Sequence, residues 1–257
     1  MVKVKQRLFK YRNVNNTQSN FKVGVNFGVN KNSPNRIYDY ELLASNLSSY
    51  ADFISINVSS PNTPGLRSFQ SEKSLTDVIN SVYKGLKNEK AKKIDIPVFI
   101  KISPDLKIQD LENIINVAIK KNVTGLIISN TTVDRDLSLK TIHKKESGGL
   151  SGRPLFKKST EILLKANKIV KKYNAKLYFI AVGGIEDPIS AYIKILCGAH
   201  LLQLYTSLTF EGPFIVKNIL NGLQGLMERD KVKNFDKVRG VAKTFSEAER
   251  IASTGLK

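Results

Sequence analysis

Residues 54–67 read Ile-Ser-Ile-Asn-Val-Ser-Ser-Pro-Asn-Thr-Pro-Gly-Leu-Arg, and they crowd hydroxyls and amides at the end of an apolar strand. The strand pattern stops at Asn57, and Ser60, Asn62 and Thr63 follow in a Pro-punctuated loop. Each amide side chain offers both donor and acceptor, which suits a small polar heterocycle. Ser60 is in addition a candidate to take or give a proton. Ser, Pro, Asn and Gly also build ordinary turns, so this segment alone leaves both readings open.

Three further groups bear on that choice. Lys101 interrupts the apolar run Val98-Phe99-Ile100-Lys101-Ile102. A lysine there either snorkels to the strand end or sets a cation against an anionic or electron-accepting ring, such as a reduced flavin. Ser129-Asn130-Thr131-Thr132 ends another apolar run with more hydroxyls and amides. Gly148-Gly149-Leu150-Ser151-Gly152-Arg153-Pro154, Gly183-Gly184-Ile185 and Tyr205-Thr206 complete the set. Glycine lets backbone approach a phosphate, and helix N-termini favour anions. The two histidines offer less, since His143 lies in a lysine-rich loop and His200 opens a strand-type run. Ser60 is the best candidate base, and a lone serine would need activation by its surroundings.

These residues must be carried by a repeating scaffold. β-Branched runs predict strands at 21–27, 53–58, 97–102, 125–129, 177–182 and 200–204. Helical periodicity predicts helices at 39–49, 75–87, 108–121, 159–173, 187–197, 213–228 and 235–252, with Asp39, Asp110 and Asp187 placed for first turns. Most strands are apolar on both faces, as in a parallel sheet covered by helices. No Gly-x-Gly-x-x-Gly opens a helix after the first strand, which weakens an open dinucleotide-binding sheet. Polar residues instead gather at one strand end after another: Asn26, Asn57, Lys101, Ser129, Gly184 and Tyr205. That distribution is the habit of a (β/α)8 TIM barrel, although six strands are visible rather than eight.

The 257 residues can bury a full core, and 41% hydrophobic with 25% charged residues describes a globular chain. No apolar run reaches membrane-span length, and the basic start lacks the apolar stretch of a secretory signal. The single cysteine, Cys197, excludes an internal disulfide and a cysteine-rich metal site, so no metal is expected. The net charge of +19 is spread over pairs such as Lys92–Lys93, Lys120–Lys121, Lys144–Lys145, Lys157–Lys158 and Lys171–Lys172. Lysines so scattered, without aromatic or Arg-rich blocks, predict solvated faces rather than a nucleic-acid partner. A basic surface also suits anionic ligands or lipid headgroups.

The motifs Asn57-Val58-Ser59-Ser60-Pro61-Asn62-Thr63-Pro64-Gly65-Leu66-Arg67, Lys101-Ile102-Ser103-Pro104-Asp105, Ser129-Asn130-Thr131-Thr132, Gly148–Pro154 and Gln203-Leu204-Tyr205-Thr206 resemble, in order, dihydroorotate dehydrogenase. The resemblance runs from about residue 21 to about 240. Serine at Ser60, where the soluble class carries cysteine, is similar to the quinone-dependent, membrane-associated class. The resemblance implies an FMN-binding (β/α)8 barrel that oxidises dihydroorotate to orotate in pyrimidine (UMP) biosynthesis and passes electrons to a quinone. It implies Ser60 as the base, and Asn26, Asn57, Lys101 and Ser129 against the flavin. Gly152, Gly184, Tyr205 and Thr206 would hold the phosphate side. Asn57, Asn62, Asn130 and Thr131 would hydrogen-bond the pyrimidine.

The departure is at the front. The family's first two strands, its substrate-lysine motif, its Asn-Arg-x-Gly-Phe segment and its N-terminal helical domain are not found, and Val29 stands where lysine is usual. The expectation is one FMN-binding domain over 1–257, lacking its N-terminal third, with strands three to eight of the barrel and an irregular or helical lead-in at 1–20. Peripheral association with the cytoplasmic face of the inner membrane is implied by the class, without its anchoring domain. The alternative is a truncated, catalytically inactive flavin-binding remnant.

Overall fold

A computed structural model describes residues 1–14, 21–30, 32–88, 95–135 and 146–256. Strands β1 (Gly24–Phe27), β2 (Phe53–Asn57), β3 (Val98–Ile102), β4 (Gly125–Ile128), β5 (Tyr178–Val182) and β6 (Leu201–Gln203) pair in chain order. All five pairings are parallel. Each strand but β6 coincides within a few residues with a β-branched or aromatic run bounded by turn residues. Helices α1 (Val2–Val14), α2 (Arg36–Leu47), α3 (Glu72–Leu86), α4 (Ile108–Lys120), α5 (Phe156–Lys172), α6 (Pro188–Leu196), α7 (Thr206–Glu211), α8 (Ile215–Arg229) and α9 (Phe245–Thr254) surround or flank the sheet. Side chains set the helix starts: Asn35 caps α2, Thr244 caps α9, and Asp187 with Ser190 forms a reciprocal cap on α6.

Register divides the sheet into two faces. Ile54, Ile56, Ile100, Ile102, Leu126, Ile128 and Phe179 are buried beneath the helices in the main core. The opposite face carries a smaller cluster of Phe99, Ile127 and Ile180, with Phe53 and Val182 against it. Asn57 pairs in register with Lys101, and Lys101 with Ile127, so these three share that inner face at the strand C-terminal ends. This is a partial (β/α) barrel whose inner face is open between β1 and β6.

One helical reading needs correction, and one short helix was not predicted. The predicted helix at 235–252 is a 3₁₀ turn at Phe235–Lys237 followed by α9. The intervening chain docks on α6 instead, where the Gly240 and Ala242 amides donate to Ile195 and Leu196 carbonyls and Lys171 Nζ donates to Gly240 O at 2.7 Å. The short α7 has no buried residue and so no apolar periodicity to announce it.

The open edges leave apolar side chains in solvent, among them Phe21, Leu201, Tyr205, Phe210 and Phe214. Exposed edges and apolar patches favour association over a stable monomer. The isolated chain is therefore expected to melt below the range of about 45–65 °C usual for mesophile domains. A thermal scan on the monomer checks this; a cooperative transition inside that range contradicts it.

Candidate active site

The C-terminal ends of β3 to β6 enclose a cavity of about 700 Å³, within the range of roughly 300–1,000 Å³ of ligand and cofactor pockets. Its walls include Lys101, Ser129, Asn130, Thr131, Gly152, Gly184, Tyr205 and Thr206. Lys101 is half-buried on the inner face, and burial pulls its pKa below the usual lysine value.

Asn57 joins this set through a side-chain network. Asn130 Nδ2 donates to Asn57 Oδ1 at 3.2 Å and to Ser59 Oγ at 3.1 Å. Ser59 Oγ also donates to Asn57 Oδ1 at 3.2 Å. The Thr131 amide donates to Asn130 Oδ1 at 2.8 Å, which orients the Asn130 amide. Tyr40 OH donates to the Asn57 carbonyl at 2.9 Å and ties the strand end to α2. Ser129 is buried, and its hydroxyl donates to the Asn130 carbonyl at 2.9 Å.

The remaining predicted residues stand apart from the cavity walls. Asn26 is exposed on the inner face of edge strand β1, in register with Ser55. Ser60 is half-buried in the 58–65 loop, and its Oγ accepts from the Asn62 amide at 3.3 Å. Asn62 is exposed. The Gly148-Gly149 segment closes the gap between this loop and the β4 end. A Cβ on Gly149 would lie 1.8 Å from Thr131 Oγ1 and 3.0 Å from Pro61 Cγ, so only glycine allows that approach. His143, Lys92–Lys93 and Lys144–Lys145 lie outside the described residues. His200 Nδ1 accepts from the Phe179 amide at 3.1 Å, and burial with the nearby Arg239 pulls it down to about 4.

One group with no predicted role braces the whole loop. Arg67 donates to Asp105 Oδ2 at 2.9 Å, to the Ser59 carbonyl at 3.2 Å and to the Thr131 carbonyl at 3.1 Å. Asp105 also accepts from Thr132 Oγ1 at 2.5 Å and from the Val133 amide at 3.0 Å, and it pairs with Lys158 Nζ at 2.7 Å. Lys158 reaches Asp134 as well. This lysine, read as part of a solvated pair, is instead an anchor between α5 and the strand ends. Burial pushes the Asp105 carboxyl up, but bonds from Lys158, Thr132, Val133 and Arg67 outweigh it and hold it below the usual carboxylate range.

The far side of the cavity is lined by glycine backbone beside a helix N-terminus. The Gly183-Gly184 turn lies against the N-terminus of α5, where a Cβ on Gly184 would sit 2.5 Å from Phe156 Cβ and 2.9 Å from its backbone nitrogen. Thr206 Oγ1 donates to Ser151 Oγ at 3.1 Å, which joins the Gly152 loop to the start of α7. Arg153 pairs with Glu186 at 2.7 Å on the cavity wall. The combination of glycine-lined backbone, a helix N-terminus and a half-buried lysine deeper in the same cavity fits a flat polar ring carrying a phosphate tail.

A sequence model of the dihydroorotate dehydrogenase family matches residues 3–227. The dihydroorotate dehydrogenase (quinone) of Bartonella tribocorum is 39% identical over 84% of this chain and 60% of its own length. That of Rhizobium etli is 42% identical, with 84% and 59% covered. The chain thus spans about 60% of the length of these curated relatives. The ligand-free DHODH of Eimeria tenella superposes with a TM-score of 0.86 at 32% identity, covering 93% of this chain and 69% of that one. The same organism's DHODH in complex with ferulenol gives 0.84 at 31% identity, with 93% and 67% covered.

Proposed function

The chain belongs to the dihydroorotate dehydrogenase family, and from that premise we propose that it oxidises dihydroorotate to orotate in pyrimidine (UMP) biosynthesis, with FMN as cofactor and a quinone as electron acceptor. The observation that carries the reading is the Asn57–Ser59–Asn130 network, whose Asn130 lines with Lys101 a cavity that also includes the Gly183-Gly184 turn beside the α5 N-terminus. Bound FMN supplies a two-electron acceptor for the hydride leaving the substrate. Asn57, Asn62, Asn130 and Thr131 offer the donor and acceptor groups that a pyrimidine edge requires. Asn26, Asn57, Lys101 and Ser129 would hold the flavin ring, and Gly152, Gly184, Tyr205 and Thr206 its phosphate side. Ser60 Oγ would take the proton from the ring carbon next to the hydride-donating carbon as its own hydroxyl proton passes to a solvent water, so the serine ends neutral. The Asn62 backbone amide, which donates to Ser60 Oγ at 3.3 Å, would stabilise the partial negative charge on that oxygen during the transfer.

Quinones partition into membranes, so the protein would work as a peripheral partner of the inner membrane's cytoplasmic face. Among the described residues no helix is long and apolar enough to cross a membrane. The net charge of +19 favours an anionic lipid surface. The test is orotate formation from dihydroorotate with a soluble quinone, compared with NAD⁺ or fumarate as acceptor. Orotate with the quinone alone supports the reading, and orotate only with another acceptor removes the quinone.

Lys101 gives a separate prediction. The Lys101→Met variant keeps the side-chain volume and removes the cation. The midpoint potential of bound flavin is expected to fall by at least about 30 mV, a factor of ten for two electrons. Spectroelectrochemical titration checks it; an unchanged potential would place the ammonium away from the ring.

A further inference from the structure

The Gly183-Gly184 turn is backed by a buried cation. Lys194 lies on α6 with no exposed surface. Its Nζ donates to Ser159 Oγ at 2.6 Å and stands 5.1 Å from the centroid of the Phe156 ring. Ser159 Oγ lies 3.1 Å from the Gly183 carbonyl and 3.0 Å from the Phe156 carbonyl. Accepting from the lysine leaves the serine hydroxyl to donate to one of them. The ammonium is therefore one side chain removed from both the glycine turn and the first residue of α5.

Among the described residues no carboxylate pairs with Lys194. Cys197 is the titratable neighbour that influences it, and burial pushes that thiol up to about 12, so it stays neutral. Burial draws the lysine itself down to about 7. A buried ammonium without a counter-ion is costly, and an apolar residue would avoid the cost.

We propose that Lys194 is a positioning residue for a phosphate monoester: its charge, carried behind the Gly183-Gly184 turn and relayed by Ser159, is the counter-ion of a phosphate held by that turn and the α5 N-terminus. The proposal rests on the FMN reading above for the identity of the ligand. It assigns the lysine no contact with the flavin ring or the substrate.

The test compares three probes, FMN, riboflavin and inorganic phosphate, on the whole chain and on Lys194→Met and Lys194→Gln. Flavin fluorescence and thermal shift are the readouts. Both variants are expected to bind riboflavin as the parent does and to lose at least about tenfold of the preference for FMN over riboflavin, the scale of one charge pair in a protein interior. Stabilisation by inorganic phosphate should fall with it. An unchanged preference overturns the proposal. So does loss of riboflavin binding together with loss of the thermal transition in both variants, which would make the lysine structural. Phosphate that stabilises the parent but not the variants, with neither flavin bound, would retain the lysine-backed subsite and remove FMN as its ligand.

Discussion

Replacing Ser60 by alanine is expected to slow reduction of bound flavin by dihydroorotate by about 10²–10⁴-fold, the usual contribution of a positioned base. Ser60 is not among the cavity-lining residues, so flavin content and FMN affinity should stay as in the parent. The effect should fall on the chemical step, read by anaerobic stopped-flow at saturating dihydroorotate. The Ser60→Cys variant sharpens the test. A thiol ionises near 8.5 and serine does not in this range, so partial activity that rises with pH toward that value would mark the position as the proton acceptor. An unchanged rate in Ser60→Ala would leave Ser60 as a turn residue and move the base elsewhere.

The second large effect is on stability. Asp105 is 13% exposed, and it joins Arg67 from the 59–67 loop, Thr132 and Val133 from the β4 end, and Lys158 from α5. The Asp105→Asn variant keeps the volume, takes the carboxylate from Arg67 and leaves Lys158 with Asp134 alone. Removing one partner of a buried pair costs about 3–5 kcal/mol. Arg67 and Lys158 are 25% and 31% exposed, so solvent screens part of the loss; about 2 kcal/mol is the expected cost. That corresponds to a fall in Tm of about 4–8 °C for a chain of this size. The sign with pH follows from the depressed carboxyl pKa. The Asp105 contribution is fully present above the unfolded value near 3.9 and is lost as pH falls through the lower folded value. The gap between parent and variant should hold at neutral pH and close in acid. A gap that persists in acid would mean that packing, not charge, is what Asp105 supplies. Because Arg67 also holds the Ser59 and Thr131 carbonyls, the variant should lose dihydroorotate turnover well beyond its loss of folded protein.

The scaffold was legible because its signals are local. A strand such as Val98–Ile102 is a β-branched and aromatic run between turn residues, and its single lysine already marked the inner face near the strand's end. Asp187 announced the start of α6 from its own side chain. The cavity residues Lys101, Ser129, Asn130 and Tyr205 were legible because each closes a strand, and a barrel gathers strand ends. Arg67 and Asp105 were visible inside motifs but had no readable role, since an ion pair across 38 residues leaves no local pattern. Lys158 shared its surface-type pairing with solvated lysines. Lys194 sits between Ile193 and Ile195, and nothing in the sequence says that its ammonium turns inward toward Ser159. Positions 235–252 kept a helical pattern while backbone bonds to α6 claimed the middle of the segment. Asn26 and Asn62 received their roles from the resemblance, Ser60 was already the candidate base by residue type, and in the structure all three stand outside the cavity walls.

The most direct measurement is the visible spectrum of the purified chain with FMN, recorded before and after anaerobic dihydroorotate. The expected result is a protein-bound flavin band that bleaches on addition of dihydroorotate, with orotate formed in equal amount. A bound flavin that stays oxidised, or no bound flavin at all, would contradict the account and leave the chain a member of the family without its half-reaction.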